Sequence, residues 1–401
     1  MKQLLNIAIF EMRQIFKDKI LALMVFAVPL LYAVLFGIVY ASAVLTDIPL
    51  GIVDLDQSSL SREVADAFVN SPRFKVIHEV DSYARLEEGM KIGAIRAGVV
   101  IPEDFAADVA QHRQTAILTV YDASNLIWGF NIRKYTMEVV SSFSAAHTAA
   151  FLAGLGLPAR EINNILNTVS CNIEVWYNPT YSYTAFMLIG LVVLIIHQIC
   201  LLCVSLTVTR EKERNTWIQY LAAPVPPWKI FLGKSLPYFF SSMLNFGLLI
   251  WFLYRLLHVK VEGSMPLVAA MGFIFSTLII SAGFYLSVWA ANSLQATRYI
   301  MLLSVPFFII SGYVWPKIQI PSLVNGLTVM LPYSWMAEAM RLVTVKNLGL
   351  EAVRIHALAL SAMAIFCALL AATFRKRIKP PADGGPVVNS GAYTPRKSWG
   401  A

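Results

Sequence analysis

Charge is what this chain of 401 residues has least of: 14% of it is Asp, Glu, Lys or Arg, against 57% hydrophobic. A soluble domain carries roughly a quarter charged residues, so a soluble globular protein of this length is excluded. Cysteine is also scarce. Of the four, Cys200, Cys203 and Cys367 fall within apolar runs and only Cys171 falls outside them, which leaves no disulfide framework. Cys200-x-x-Cys203 has the spacing of a metal or redox pair, but without a second pair and in mid-run it reads as packing. A phosphate-cradling loop is missing as well. Gly233-Lys234-Ser235 has the ending of G-x-x-x-x-G-K-[ST], yet Trp228 stands where the first glycine belongs and the flanks are not strand then helix. The apolar runs hold almost no ionisable groups; His197 is the best candidate, and a lone His there more often packs or hydrogen-bonds.

What is present is a set of apolar runs long enough to cross a bilayer, at about 20 residues each. Residues 1–19 alternate apolar side chains with Lys2, Arg13, Lys17 and Lys19, the pattern of an amphipathic helix lying in the membrane interface. A first span follows at 20–44, too long for a signal-peptide core. Ala41-Ser42-Ala43 is only a weak cleavage site, so this span reads as an uncleaved anchor. Further spans are expected near 181–208, 236–257, 267–291, 299–312 and 353–374, giving six. Basic residues cluster at the N-terminus, at Arg210–Lys234 and at Arg375–Lys379, which places these segments and both termini in the cytoplasm. The net charge of +8 is thereby explained by anionic lipid and does not require nucleic acid. The tail, 379–401, is rich in Pro, Gly and Ser and is expected to be disordered.

Residues 45–178 are polar enough to form a domain outside the membrane. Strands are expected at Ile48–Asp56, Phe74–His78, Gly93–Ile101 and Ala116–Tyr121, alternating with helices at Ser58–Val69, Tyr83–Lys91 and Glu103–Gln111. A long helical stretch near 127–169, interrupted around Gly154–Pro158, returns the chain to the membrane. Strand–helix alternation predicts a small open α/β domain. Asp54, Asp56, His78, Asp81 and His112 are types that could serve a metal or acid–base site, but their spacing is not diagnostic, and the Asp and Ser residues suit helix capping.

The most informative stretch is 209–238. It holds the run Arg210-Glu211-Lys212-Glu213-Arg214, then Thr216 and Gln219 in a short amphipathic helix, a break at Pro224, and Gly233-Lys234 with Pro237-Tyr238. That order resembles the coupling loop of type-2 ATP-binding-cassette (ABC) exporter permeases, with Asn215 where glycine is usual and Ile218 where glutamate is usual. Two further regions are similar to the same family. One is Val53–Asp56 with Ser58 and Ser61, followed by Ile101, Pro102 and Phe105. The other is Ser311-Gly312-Tyr313 with Pro316, Pro321, Pro332 and Trp335, where Tyr313 replaces the usual Phe. In that last region the prolines preclude one continuous helix, and a re-entrant segment over 312–335 is expected.

The resemblance implies a polytopic α-helical membrane protein: six transmembrane helices with a mixed α/β extracytoplasmic domain between helices 1 and 2, in a bacterial cytoplasmic (inner) membrane. It implies a transport subunit that is not itself an enzyme, exporting hydrophobic or amphiphilic cargo. The partners it implies are a separate ABC ATPase subunit carrying ATP and Mg, a second permease copy or paralogue, membrane lipids and a periplasmic adaptor. No cofactor or metal is expected on this chain. Glu211, Lys212, Glu213, Arg214, Thr216, Gln219, Gly233 and Lys234, over a loop of 209–234, are implied to couple to the ATPase, with Glu211, Arg214 and Lys234 making or orienting the contact. Ser311, Gly312, Tyr313, Pro316, Pro321 and Pro332 are implied to form an outer gate. An ion-coupled secondary transporter and a membrane sensor are the alternatives. The first wants ionisable groups at mid-span, and the second leaves the coupling motif unexplained.

Overall fold

The computed structural model describes residues 1–40, 45–77, 80–111, 113–167, 174–178, 182–259 and 263–374. The cleavage-like Ala41–Ala43, His78, His112, Cys171 and the tail from 375 lie outside the described residues. The chain divides into two compact units, Met1–Ala41 with Tyr183–Ala401, and Ser42–Ser182.

Helix α1 (Lys2–Lys17) buries Glu11 and Ile15 and leaves Leu5, Ile9, Phe10 and Phe16 exposed. Asp18 ends it with an extended backbone. Its carboxylate accepts from the amides of Ile20 and Leu21, both at 3.1 Å, and so caps α2 (Lys19–Ala22). A π-helical turn, Leu23–Ala27, and α3 (Val28–Val39) continue the first apolar run. Pro29 has no amide proton to offer the Val25 carbonyl. That carbonyl accepts from Asn245 Nδ2 at 2.7 Å instead.

The α/β unit follows the expected alternation. It runs β1 (Ile48–Asp54), α4 (Ser59–Val69), β2 (Phe74–Ile77), α5 (Tyr83–Lys91), β3 (Ala97–Ile101), α6 (Phe105–Ala110), β4 (Leu118–Tyr121), α7 (Leu126–Gly154) and α8 (Ala159–Leu166). The sheet order is β2-β1-β3-β4, with β1 parallel to β2 and β3, and β4 antiparallel to β3. Strand periodicity sends Ile48 and Leu50 into one core with Val64, Phe68, Phe105 and Ile132. It sends Val53 and Val100 into another with Leu86 and Ile95. β3 is buried along its whole length because both faces are covered. The acidic residues of the β1–α4 turn are structural. Asp54 accepts from the Asp56 and Gln57 amides (3.1 and 3.0 Å) and from the Ser61 hydroxyl (2.7 Å), and Ser58 caps α4 through Ser61 N at 3.0 Å. Among the described residues no three His, Cys, Asp or Glu side chains gather where a metal ion could be held.

The rest of the first unit is helical: α9 (Tyr183–Glu213), α10 (Trp217–Ala222), α11 (Pro227–Arg255), α12 (Met265–Trp289), α13 (Ser293–Ile310), a 3-10 turn (Lys317–Gln319), α14 (Ser322–Thr328), α15 (Pro332–Thr344) and α16 (Leu350–Ala372). Among the described residues six helices are long and apolar enough to cross a membrane: Lys19–Val39, α9, α11, α12, α13 and α16. α9 is the central one, with Val193, Val204 and Val208 fully buried. Cys200 and Cys203 are free and pack in this core, as does His197, between Phe275 and Tyr333.

Two boundaries correct the sequence reading. The second span does not end near 208, and the segment 209–234 is not one loop. α9 continues to Glu213 and α11 begins at Pro227, so only residues 214–226 lie between them, with α10 inside. The charges of the run end no helix because each finds a partner there, and Arg210 and Lys212 in the last turn suit the negative end of the helix dipole. Proline at the first position of α11 costs no hydrogen bond.

Candidate functional site

Consecutive residues on a helix point about 100° apart, so the five side chains from Arg210 to Arg214 reach different neighbours. Arg210 pairs with Asp18 at the end of α1. Glu211 accepts from Lys234 Nζ on α11 at 3.0 Å and from the Thr216 hydroxyl. Lys212 Nζ donates to the carbonyls of Val288 (2.5 Å), Ala290 (2.7 Å) and Ser287 (3.3 Å), groups that the last turn of α12 leaves unpaired. Glu213 accepts from the Ser293 amide at the start of α13, at 2.7 Å. Arg214 donates to Gln14 on α1 at 3.1 Å. The run therefore fastens one end of α9 to α1, α10, α11, α12 and α13.

Its centre is a buried charge cluster. Lys234 is 0% exposed and lies between Glu11 (2.7 Å) and Glu211 (3.0 Å), with its ammonium 4.8 Å from the centre of the Tyr220 ring. Glu11 also accepts from the Thr207 hydroxyl at 2.5 Å and the Tyr238 hydroxyl at 3.1 Å. Burying an ion pair is tolerated only when the remaining lone pairs and protons are satisfied, and here they are. Gly233 lets α1 come close: a Cβ at this position would lie 2.7 Å from Ile7 Cβ and 3.1 Å from the Leu4 carbonyl oxygen. Asn215 sits at φ +57, the left-handed conformation that glycine takes most easily and asparagine tolerates.

Burial divides the coupling residues of the sequence reading. Glu211, Gly233 and Lys234 are buried inside this chain. Glu213, Arg214 and Gln219 are exposed, together with Ile218 (56%) and Trp228 (47%). Thr216 is half-buried against Glu211. Sequence reasoning missed Glu11, although it is the one acid before Asp18 in an otherwise basic and apolar segment.

The Pro-rich segment meets the other end of α9. Pro316 precedes the 3-10 turn, Pro321 stands just before α14, and Pro332 opens α15, so each proline starts a new short helix. Ser311 Oγ donates to the Phe308 carbonyl at 2.6 Å and accepts from the Tyr313 amide at 3.2 Å, and Gly312 turns the chain at φ +79. Tyr313 is buried and does more than the usual Phe could. Its hydroxyl donates to the Phe186 carbonyl (2.5 Å) and accepts from the Gly190 amide (2.8 Å), the two groups that a regular α-helix pairs directly. Arg341 lies 4.2 Å from the centre of the Tyr313 ring and donates to the Tyr313 carbonyl at 2.9 Å. Lys317 pairs with Glu338, which His356 approaches at 3.7 Å. His356 and then Lys317 hold the Glu338 carboxyl down at about 2, against the opposing effect of its partial burial. Gly190 and Glu211 are separated by about 32 Å of helix rise, comparable with the hydrocarbon thickness of a bilayer.

A family model described as "ABC-2 family transporter protein" matches residues 19–373. The chain belongs to the ABC-2 transporter family. This ABC-2 protein is 26% identical to the inner membrane transport permease YhhJ of Escherichia coli K12 over 389 residues, covering 94% of this chain and 98% of that one. It is also similar to two E. coli K12 proteins described as probable multidrug ABC transporter permeases. YbhR is 22% identical, with 81% of this chain and 85% of the relative covered. YbhS is 23% identical, with 82% and 85% covered. The ABC-2 chain is thus a membrane-embedded permease whose family implies an ATP-binding partner. Its charges lie at span ends, and no described Asp or Glu sits at mid-span to carry an ion across.

Proposed function

We propose that this chain is the permease subunit of an ATP-driven exporter. It moves a hydrophobic or amphiphilic cargo out of the cytoplasm or the inner leaflet of a bacterial inner membrane. The observation that carries the reading is the fastening of one end of α9 to five other helices, with α10 left beside it presenting Ile218 and Gln219 outward. A partner that pushes on this short helix moves the ends of several spans together. ATP and Mg belong to that partner. Closure of two ATPase subunits would supply the difference in binding energy between states that a population shift requires.

The reading includes a homodimer or a pair of paralogues, since six spans make half of a pathway in this family. Basic flanks support cytoplasmic termini and an extracytoplasmic position for residues 45–178, where a periplasmic adaptor would meet them. Cargo class rests on the apolar, aromatic character of the spans and on the multidrug description of two relatives.

Burial decides which residues test the reading. Glu211→Ala would leave Lys234 half-paired in the interior and confound folding with coupling. Ile218→Asp with Gln219→Ala alters the exposed face alone. A tagged chain purified in mild detergent is expected to bring down an ATP-binding subunit and ATPase activity. The double variant is expected to lose at least half of that association at an unchanged melting temperature. An unaccompanied, well-folded wild type would sink the proposal, as would a double variant that binds and couples normally.

A further inference from the structure

The sheet of the α/β unit has two edges, and only one of them is protected. β2 carries the exposed Lys75 and follows Arg73, and charge on an edge strand discourages a further strand from pairing. β4 forms the other edge and is hydrogen-bonded to β3 alone among the described strands. From Gln114 to Tyr121 the chain has no charge and no proline, and Leu118 is 53% exposed. The Asp122 amide donates to the Arg96 carbonyl at 3.0 Å, and the register sets Val120 opposite Gly98 and Leu118 opposite Val100. Bonded positions alternate along an antiparallel ladder, so the amides and carbonyls of Ile117, Thr119 and Tyr121 point away from β3. One face of the sheet is also incompletely covered here. A cavity of about 320 Å³ lies between Val120 and Asp122 on one side and Tyr83, Leu86 and Met90 of α5 on the other.

We propose that β4 pairs antiparallel with β4 of a second copy of this chain, two-fold about Thr119, so that the two sheets become one. The segment is self-complementary in that register. Thr119 meets Thr119 of the copy, Ile117 meets the copy's Tyr121, and Leu118 meets the copy's Val120. Thr–Thr and aromatic–β-branched pairs are cross-strand contacts that stabilise sheets, and no like charges face each other. The three outward residues fall opposite one another, so each of their amides and carbonyls finds a partner, as in other interfaces built by strand addition. On the face toward α5, the copy's Leu118 extends the apolar floor beside Val120. The contact is isologous and closes on itself, which a strand edge open to any partner would not do. A strand of four residues does not hold two chains together by itself. The inference therefore rests on the proposed association of two permease copies, which would hold the strands at about millimolar effective concentration.

The test uses the full chain in proteoliposomes, carrying Cys171→Ser and Thr119→Cys and oxidised with copper phenanthroline. Bonded residues on facing strands bring their Cα atoms to about 5.5 Å, within reach of a disulfide. Most chains are expected to run as a covalent dimer, whereas Lys75→Cys on the opposite edge is expected to stay monomeric. Adding Leu118→Lys, which charges the edge at an exposed position, is expected to cut the cross-linked fraction about fivefold. Amide exchange at Thr119 and Tyr121 is expected to be slow in wild type and faster in Leu118→Lys. Native mass spectrometry of the unoxidised chain separates two failures. A dimer without the Thr119 disulfide would overturn the strand pairing and leave the association of permease copies standing, whereas a monomer would overturn both. Equal cross-linking at positions 119 and 75 would mean random collision and would also overturn the pairing. Slow exchange without the disulfide would mean that a different strand covers β4, which overturns the choice of a second copy.

Discussion

Two charged clusters lie toward the two ends of α9, and they differ in what burial allows them to do. At one end Lys234, Glu11 and Glu211 are at least nine-tenths buried, and every charge is spoken for by a side chain of another helix. At the other end Lys317 and Glu338 are more than a third exposed and border an open cavity. The first arrangement fixes geometry, because any change leaves a charge stranded in the interior. The second can exchange partners with water or a ligand at little cost. Similar side chains thus serve as a fastening in one place and as a receptive surface in the other.

The contrast can be broken most forcefully at Lys234. Lys234→Met strands two buried carboxylates, and a loss of about 3–5 kcal/mol is expected. It would appear as a large fall in melting temperature by fluorescence-detected size exclusion. Adding Glu11→Gln to the same chain should restore part of it, and a Lys234 variant as stable as wild type would refute the role given to the cluster. Next in size is Gly233→Ala, whose new Cβ meets Ile7 at 2.7 Å. Overpacking of this kind costs about 1–3 kcal/mol, and Ile7→Ala should relieve it in a double-mutant cycle.

At the other end the expected effects are smaller. Tyr313→Phe removes the hydroxyl that donates to the Phe186 carbonyl and accepts from the Gly190 amide. A loss of about 1 kcal/mol is expected. Hydrogen exchange at Gly190 should quicken once that acceptor is gone, and unchanged exchange would argue against the contact. The smallest effect is that of Glu338. Its folded-state value of about 2 lies below the ordinary 4.5, so its contribution is complete above about pH 4.5 and fades as the pH falls toward 2. A thermal-melt series across that window should slope for wild type and lose part of the slope in Glu338→Gln.

Much of this architecture was legible from residue pattern alone. The alternation of Ile48–Asp54 and Ala97–Ile101 with capped amphipathic helices gave the α/β unit, because strand period and turn residues are local properties. Pro316, Pro321 and Pro332 foretold the broken segment for the same reason. The charged run misled. Hydropathy treats Arg210–Glu213 as the end of a span, whereas their partners on α1, α11, α12 and α13 keep them helical. Those partners include Lys234, which is itself paired with Glu11, 223 residues away, and no periodicity reports a contact at that distance. The Tyr313 hydroxyl was equally hidden. Its departure from phenylalanine looked slight as a substitution and became informative only once Phe186 and Gly190 were seen beneath it.

α9 itself has a mechanical consequence. At 31 residues it is a rod about 46 Å long. A tilt of about 5° around its midpoint would carry each end about 2 Å, in opposite directions. The buried charges that fasten its Glu211 end do not slip, so such a tilt would take α1, α11, α12 and α13 along with it. At the far end the same stroke would press on the Tyr313 ring and the cavity behind it. A lever gripped firmly at one end and resting on a deformable pad at the other converts a small push into a change of cavity shape, without any charge having to cross the bilayer.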